Sequence, residues 1–400
     1  MEAAVSDSRP LRANAAPSLA AGAGYVRIAA LLLAGVALAL RVTRLSLQPL
    51  WWDEGYSVWF ATHSLADMAR LTAEDIHPPL YYALLHLWTQ LFGPGPVSLR
   101  LLSVVFGVLA IPVIYLAARR ILGSQRAAIL AALLLAINPL HIYYSQEVRM
   151  YGLVALLSGG ILWAAWRIFE AGETRFLRET WFLSLPYILL VTLALYTQYY
   201  AVFLPIGLSL YALWRWRANG RALIRWLALQ LIAALLYLPW VIYAAPRLTL
   251  YVSQKVVHDA DKPLGPLAYL ARHLAAYTAG HLEGPLAAWW PLALVLLLPV
   301  IAGLILAIRS ATQAPFMGRS LVARRFIAGR SPDARDFVQP THARDRIIFL
   351  ATVLATALFL GWLIGLRYPF FPDRGERLLL LGLPAFVMLV AAGLEGLLRA

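Results

Sequence analysis

Two adjacent carboxylates, Asp53 and Glu54, follow a tryptophan pair just after the first strongly apolar stretch of the chain. An ionisable residue at the margin of a membrane-length apolar segment marks a functional site by default, because holding a charge there is costly. Neighbouring side chains diverge in direction, so we expect only one of the two to act as a base and assign that role to Asp53. Glu54 is expected to bind a metal or to orient a neighbour, and a pair of solvated loop acids is the alternative.

Residues able to contact a substrate lie in several segments, and the predicted span topology brings these segments to one side of the membrane. They include arginines, a histidine and an amide. Guanidinium groups are well suited to grip phosphate, and a carboxylate can take a proton from a hydroxyl. The combination suits a transferase whose donor is a lipid phosphate, although Glu147 and Arg149 could instead form a simple ion pair. The candidate substrate-binding residues are His77, Arg149, Tyr151, Gln198, Arg374 and Arg377.

The composition excludes an ordinary soluble globular protein. Of the 400 residues, 61% are hydrophobic and 14% are charged, and the mean hydropathy is +0.70. Soluble domains carry about 25% charged residues. Repeated apolar runs, each long enough to cross a bilayer core of about 30 Å, indicate an all-α polytopic membrane protein. The sequence contains no cysteine, which excludes disulfides and thiolate chemistry.

About ten transmembrane helices are predicted, within a single domain over residues 25–400. The apolar stretch 182–213 is too long for one span and has a polar, aromatic centre at 196–200, so we interpret it as two short spans joined by a turn. Residues 1–24 are predicted to be a disordered cytoplasmic tail, and residues 309–345 a basic cytoplasmic loop. The predicted spans are 26–46, 97–118, 127–144, 150–169, the two within 182–213, 226–245, 286–308, 346–366 and 377–398.

The distribution of charge predicts the orientation of these spans. With the N-terminus inside, the inner segments hold 22 Lys/Arg and 9 Asp/Glu, whereas the outer segments hold 12 and 11. Basic residues therefore concentrate on the cytoplasmic side, as the positive-inside rule requires. The net charge of +14 is attributed to this orientation, and no nucleic-acid partner is expected.

The first outer loop, residues 47–96, is predicted to hold two helices that lie along the membrane surface, over 56–70 and 80–92. The second of these is apolar but too short to span a bilayer. The sequence His77-Pro78-Pro79 precedes it and predicts a stiff, extended backbone, because proline restricts both itself and its predecessor. The candidate acids and His77 thus share one outer loop.

An ordered set of motifs resembles the family C glycosyltransferases, specifically the protein-mannosyltransferase-like branch (glycosyltransferase family 39-like) that includes the lipid A aminoarabinose transferases. The motifs follow the family's order and span nearly the whole chain. They are Trp52-Asp53-Glu54-Gly55, Asp75-Ile76-His77-Pro78-Pro79-Leu80-Tyr81-Tyr82, Asn138-Pro139 with Ser145-Gln146-Glu147-Val148-Arg149-Met150-Tyr151, Tyr196-Thr197-Gln198-Tyr199-Tyr200, and Arg367-Tyr368-Pro369 with Arg374-Gly375-Glu376-Arg377.

The resemblance implies a polyprenyl-phosphate sugar donor and an inverting, mannosyltransferase-like transfer to a hydroxyl of a protein, lipid or glycan acceptor. It implies that Asp53 is the general base, that Glu147 is a second catalytic acid, and that Tyr81 belongs to the substrate site. It also implies an active site on the extracytoplasmic side, which we place in the periplasm at a bacterial inner membrane.

The chain departs from the family pattern at two places. The hairpin turn carries Gln198 where the family often has histidine, and Ile76-His77 stands where the aminoarabinose transferases have an acidic-basic pair. A divalent cation, Mg²⁺ or Mn²⁺, at Asp53 or Glu147 is therefore left open. A polytopic transporter or flippase and a catalytically silent membrane scaffold are the alternative functions. The transporter is disfavoured, because transporters place ionisable residues near the bilayer midplane and are built from repeats.

Overall fold

The computed structural model describes six ranges of the chain, and within them all regular structure is helical. These ranges are 19–171, 180–258, 262–281, 288–313, 343–369 and 375–400. The α-helices are α1 (Leu19–Val42), α2 (Trp52–Thr62), α3 (Leu65–Ala73), α4 (Leu80–Phe92), α5 (Pro96–Leu122), α6 (Gln125–Ile137), α7 (Pro139–Ser145), α8 (Tyr151–Glu170), α9 (Thr180–Leu195), α10 (Phe203–Arg215), α11 (Gly220–His258), α12 (Pro266–Ala279), α13 (Trp290–Val295), α14 (Leu297–Gln313), α15 (Ala343–Arg367) and α16 (Leu383–Arg399). Two 3₁₀ segments cover Tyr199–Val202 and Gly375–Gly382.

The prediction of an all-α polytopic membrane protein is confirmed. In the described ranges, six helices are long and apolar enough to cross a membrane, and a seventh span results if the bent pair α6–α7 is taken as one. Each of the ten predicted segments contains a helix. The remaining three segments contain α1, which has 24 residues, and the shorter helices α9 and α10, which have 16 and 13 residues. The predicted hairpin within 182–213 is α9 and α10 joined by the 3₁₀ turn.

The structure differs from the sequence prediction in the first outer loop, which holds three helices instead of two. The predicted helix 56–70 is divided between α2 and α3, because Ser64 caps α3 by accepting a hydrogen bond from the backbone N–H of Asp67 at 3.2 Å. Helix α4 has the predicted bounds. At the N-terminus α1 begins at Leu19, so residues 19–24 are helical where a disordered tail was expected. Most of the predicted basic loop, residues 314–342, lies outside the described ranges.

The predicted span 127–144 is broken at Asn138, where α6 and α7 meet at 56°. Proline follows at the first position of α7, and the Asn138 side chain caps that helix through the backbone N–H of His141 at 2.9 Å. The buried guanidinium of Arg41 takes up the carbonyls that the break exposes, donating to Ala136 O at 2.9 Å and Leu135 O at 3.2 Å. Non-helical backbone at membrane depth requires such internal partners.

Helix α8 is largely buried, and it packs against α5, α9 and the second 3₁₀ segment. Helices α14 and α16 approach so closely at Gly393 that a Cβ there would meet the carbonyl oxygen of Val300 at 2.5 Å. Small residues permit this backbone contact, as they do in other membrane helix pairs. The packing brings the loop before α8 and the segment before α16 to the same end of the bundle as α2.

Candidate active site

A cavity of about 360 Å³ lies between the first outer loop and the segments that precede α8 and α16. One wall is aromatic and comes from α2, and the other walls carry carboxylates, a histidine and two arginines. We call it the acid–arginine cavity. Its lining residues are Trp52, Asp53, Tyr56, Trp59, Phe60, Leu71, Glu74, Asp75, Ile76, His77, Arg149 and Arg377.

Asp53 lies in the first turn of α2 and forms an ion pair with Arg377, 324 positions later in the chain. The distance from Arg377 Nη1 to Asp53 Oδ2 is 2.9 Å. The Asp53 side chain is 24% exposed and that of Arg377 is 9% exposed, so the carboxylate can be reached from the cavity. Arg149 also contacts this residue, because its Nη1 donates to the backbone carbonyl of Asp53 at 3.3 Å.

Arg149 is held from the other side by a short relay of polar groups. Its Nη2 donates to His77 Nε2 at 2.8 Å, and His77 Nδ1 lies 3.1 Å from Asp75 Oδ2. Since a guanidinium can only donate, Nε2 must be unprotonated, and His77 is a neutral imidazole that donates from Nδ1 to Asp75. Burial and the nearby Arg149 charge lower the pKa of His77, in agreement with this tautomer. Burial alone would raise the pKa of Asp75, but the hydrogen bonds from His77 and from the Ile76 N–H and the nearby charge of Arg149 together outweigh burial, so the pKa is lowered.

Glu54 does not line the cavity. Its side chain is fully buried and receives the fork of Arg100 in α5, from Nε at 2.8 Å and from Nη2 at 2.6 Å. The same carboxylate accepts the backbone N–H of Val148 at 3.0 Å and, at the start of α2, the backbone N–H of Trp51 at 3.3 Å. Glu54 therefore fastens α2 to α5 and to the loop before α8, and this leaves Asp53, its neighbour, directed at the cavity.

Glu147 is buried beside the cavity, next to Arg149. Removal from water raises the pKa of this carboxyl from 4.5 to about 7, while Arg149 opposes the rise. The oxygen Oε2 has no hydrogen-bond partner among the residues that the structure describes. Near neutral pH this side chain is thus divided between its protonated and ionised forms.

Three other predicted residues do not line the cavity, and one cannot be placed. Tyr81 is buried and pairs with Ser103 Oγ at 2.8 Å, and the Tyr151 ring lies 5.8 Å from the Arg149 guanidinium carbon. Gln198 is 3% exposed, and neither polar atom of its side chain has a partner in the described part of the chain. Arg374 lies outside the described residues.

The side chains around Asp53 do not fit a divalent cation. Within the described ranges there is no group of three or more acidic or histidine side chains that could hold a metal. The Asp53 carboxylate instead faces the guanidinium of Arg377, which would repel a cation. Glu147 is not among the residues that line the cavity.

The sequence and the fold were compared with known proteins. The model of the dolichyl-phosphate-mannose-protein mannosyltransferase family matches residues 76–243. The archaeal oligosaccharyltransferase AglB from Archaeoglobus fulgidus superposes with a TM-score of 0.50 at 13% identity, over 94% of this chain and 50% of AglB. The protein has the family C glycosyltransferase fold.

A second solved structure with this fold is ArnT from Cupriavidus metallidurans, with a TM-score of 0.46, 16% identity, and coverage of 96% of this chain and 79% of ArnT. The chain spans about half the length of AglB. No curated protein sequence matches it significantly.

Within this glycosyltransferase fold, sequence reasoning missed two buried arginines. Arg100 and Arg41 each lie in a predicted or observed apolar helix and each satisfies several backbone carbonyls. A lone arginine inside an apolar run was a signal that could have found them, because such a residue requires buried partners. Sequence reasoning also assigned no role to Glu376, which is 2% exposed.

Proposed function

We propose that the protein is an integral-membrane inverting glycosyltransferase that moves a sugar from a polyprenyl-phosphate donor to an acceptor hydroxyl. The observation that carries the proposal is the acid–arginine cavity itself. One accessible carboxylate, Asp53, and two guanidinium groups, Arg149 and Arg377, line the same cavity. Sugar transfer from a phosphate leaving group requires two groups, a base and a cationic group that binds the phosphate.

In this mechanism Asp53 removes the proton from the acceptor hydroxyl as its oxygen attacks the anomeric carbon of the sugar. A bond forms between that oxygen and the anomeric carbon, and the bond from the same carbon to the phosphate oxygen breaks. The proton ends on the Asp53 carboxylate, and the bonding electron pair leaves on the polyprenyl phosphate. Attack opposite the leaving group inverts the anomeric centre.

The negative charge that develops on the phosphate is met by arginine. Arg149 is oriented by His77 and by the Asp53 carbonyl, and its Nε–H is buried without a partner in the described ranges. A phosphate oxygen would satisfy that donor, and donors already aimed at a developing charge need no reorganisation during the reaction. Arg377 holds the Asp53 carboxylate before substrate binds and can exchange it for phosphate afterwards.

The aromatic wall from α2 gives this cavity its apolar side. Trp52, Tyr56 and Trp59 contact one another edge to face, with centroids 5.5 and 6.3 Å apart. Such rings together with a few placed polar groups are typical of small-ligand sites. We place a sugar ring between this wall and the arginines. No step is assigned to a divalent cation, because the residues present do not fit one.

Two comparisons support a lipid-linked donor. The matching family is described by its dolichyl-phosphate-mannose donor, and the AglB structure is a complex with an inhibitory peptide and a dolichol-phosphate. The charge asymmetry of the sequence supports a site on the extracytoplasmic face, and we propose the periplasmic side of a bacterial inner membrane. Sugar identity is a matter for the assay.

The test uses the purified protein in sealed proteoliposomes with radiolabelled polyprenyl-phosphate mannose and separate protein, lipid and glycan acceptors. The proposal expects acceptor-dependent release of polyprenyl phosphate, with the label recovered on a hydroxyl and with inverted anomeric configuration. Transport of the intact labelled lipid across the bilayer, with no release of polyprenyl phosphate, would instead identify a flippase.

A further inference from the structure

A second and larger cavity, of about 920 Å³, lies on the other side of the segment that carries Arg377. We call it the apolar cavity. It is formed by α12, the residues just before it and the start of α13, and most of its lining is aliphatic. The large apolar side chains of this lining are Leu264, Leu267, Leu270, Leu274, Trp290 and Leu294. The volume lies at the upper end of the range for small-molecule sites, about 300–1,000 Å³, and the lining favours a hydrocarbon occupant.

One end of the apolar cavity is polar and is closed by Glu376 and His281. The distance from His281 Nδ1 to Glu376 Oε1 is 2.5 Å, and the Glu376 side chain is 3% exposed. The other carboxylate oxygen, Oε2, is buried and has no partner in the part of the chain that the structure describes. A buried acceptor without a donor is destabilising, so this oxygen is suited to a ligand that brings an O–H or N–H group.

The two cavities differ in charge because of the 3₁₀ geometry between them. In a 3₁₀ segment, with three residues per turn, consecutive side chains point about 120° apart. Glu376 consequently lines the apolar cavity while Arg377 lines the acid–arginine cavity. A phosphate head is attracted to Arg377 and Arg149 and is repelled by Glu376, whereas a hydroxyl or ammonium head has the opposite preference.

The mouth of the apolar cavity lies where a lipid could enter from the bilayer. Leu267 is 81% exposed and Trp290 is 46% exposed. Trp290 is also the first residue of the membrane-length segment Trp290–Arg309. Tryptophan is enriched at the membrane interface, so the cavity mouth is placed at the end of a span and faces the headgroup region.

We infer that the apolar cavity is the acceptor site and that the acceptor is an amphiphile. Its hydrocarbon chain lies along α12, and a polar O–H or N–H group of its head, distinct from the hydroxyl that Asp53 deprotonates, donates to Glu376. The inference rests on the proposed function, since that function defines the acceptor. His281 is a positioning residue in this assignment, because it fixes the Glu376 carboxylate and is itself held by Tyr144 Oη at 2.7 Å. The acceptor head and the donor phosphate are then bound on either side of two consecutive residues.

The experiment measures binding separately from transfer. A polyprenol and the matching polyprenyl phosphate, each with a photoreactive diazirine in the chain, are cross-linked to the full-length protein in nanodiscs. Ala268→Trp fills the apolar cavity from an exposed position on α12, and Ala302→Trp, at an exposed alanine of α14 outside the cavity, is its matched control. Glu376→Leu removes the carboxylate oxygens that accept the hydrogen bond, and Arg149→Met removes a guanidinium group that binds phosphate.

We expect Glu376→Leu to lower polyprenol affinity about tenfold, the cost of one hydrogen bond to a charged group. Ala268→Trp should also lower polyprenol affinity, because the indole occupies the space of the hydrocarbon chain. Both variants should leave the affinity for polyprenyl phosphate unchanged. Arg149→Met should lower the affinity for polyprenyl phosphate and leave that for polyprenol unchanged. Ala302→Trp should change neither affinity. Arg272 also lines the apolar cavity, and its charge attracts phosphate. The binding of polyprenyl phosphate must therefore be measured beside that of polyprenol.

Two results overturn the inference. One is polyprenol labelling that neither Ala268→Trp nor Glu376→Leu reduces. The other is loss of polyprenyl phosphate labelling, instead of polyprenol labelling, when Ala268→Trp fills the cavity. Phosphate binding that survives Arg149→Met would contradict the donor site of the proposed function and leave the acceptor site standing, so the two failures are distinguishable. Melting temperatures of the variants check that Glu376→Leu is folded, and Ala268→Trp decides the question if it is not.

Discussion

Asp53 and Arg377 form an ion pair of 2.9 Å between the first turn of α2 and the segment before α16. The pair joins segments 324 positions apart at one cavity, and it orients the Asp53 carboxylate without burying it. A base that is accessible and held in place is ready to accept a proton.

Asp53→Asn should lower the rate of sugar transfer by about 10²–10⁴-fold, the usual contribution of a general base. The amide is nearly the same size but cannot take the proton. Affinity for the polyprenyl-phosphate donor should not fall, because Arg377 is freed from its partner. Transfer rate and donor binding are measured on the same preparation, with Asp67→Asn, an exposed acid of the same loop, as control. Full activity of Asp53→Asn would exclude this residue as the base.

Arg149→Met should weaken donor binding by about 10- to 100-fold, equivalent to losing a charged hydrogen bond of about 1.5–3 kcal/mol. Arg149→Lys should recover only part of the loss, since an ammonium group cannot contact phosphate, His77 and the Asp53 carbonyl at once. Donor affinity is measured by equilibrium binding of the labelled lipid. Arg70→Met, on exposed α3, is the control and should bind normally. Equal affinities for all four proteins would remove Arg149 from the phosphate site.

The Glu54–Arg100 pair is predicted to be structural. Arg100→Met or Glu54→Gln should each destabilise the protein by about 3–5 kcal/mol, because each leaves a buried charge without its partner. The double variant should be less destabilised than the sum of the two. Thermal unfolding in detergent measures this double-mutant cycle. The exposed pair Arg120–Glu170 provides the comparison, and Arg120→Met should cost about 0–1 kcal/mol. Additive effects at Glu54 and Arg100 would show that the pair is not coupled.

Glu147 should make stability depend on pH. Its folded-state pKa of about 7 lies above the ordinary value of 4.5, so the folded protein holds this proton more tightly than the unfolded chain. The stabilising effect of the bound proton is complete below pH 4.5 and is lost as the pH rises through 7. The loss is about 3 kcal/mol, at 1.36 kcal/mol per unit of pKa shift.

Glu147→Gln, which cannot ionise, should abolish that part of the pH dependence. The difference in unfolding free energy between the two proteins is measured at several values between pH 5 and pH 8. A difference that stays constant over this range would mean that Glu147 is ionised throughout, contrary to the effect of its burial.

Asp53 and Glu54 show most clearly which features of the site the sequence could predict and which it could not. The sequence identified both as acids at a membrane margin and predicted that only Asp53 would act as the base, with Glu54 binding a metal or orienting a neighbour. It did not reveal the partner of Glu54, because this partner is Arg100, which lies 46 positions away inside an apolar helix. The bounds of α4 followed from local signals, a Pro-Pro start and a glycine stop. The break at Asn138 also had a local cause, but the uninterrupted apolar pattern concealed it.

What the sequence determined by itself was the class of protein and the positions of its apolar segments, and it also predicts their orientation. These depend on local hydrophobicity and on charge counts, which do not require knowledge of neighbours. The tertiary structure decided which charges meet. Ion pairs such as Asp53–Arg377, and the division of Glu376 and Arg377 between two cavities, arise from how distant helices pack. Electrostatic interaction depends on distances in space, and separation along the chain does not determine those distances.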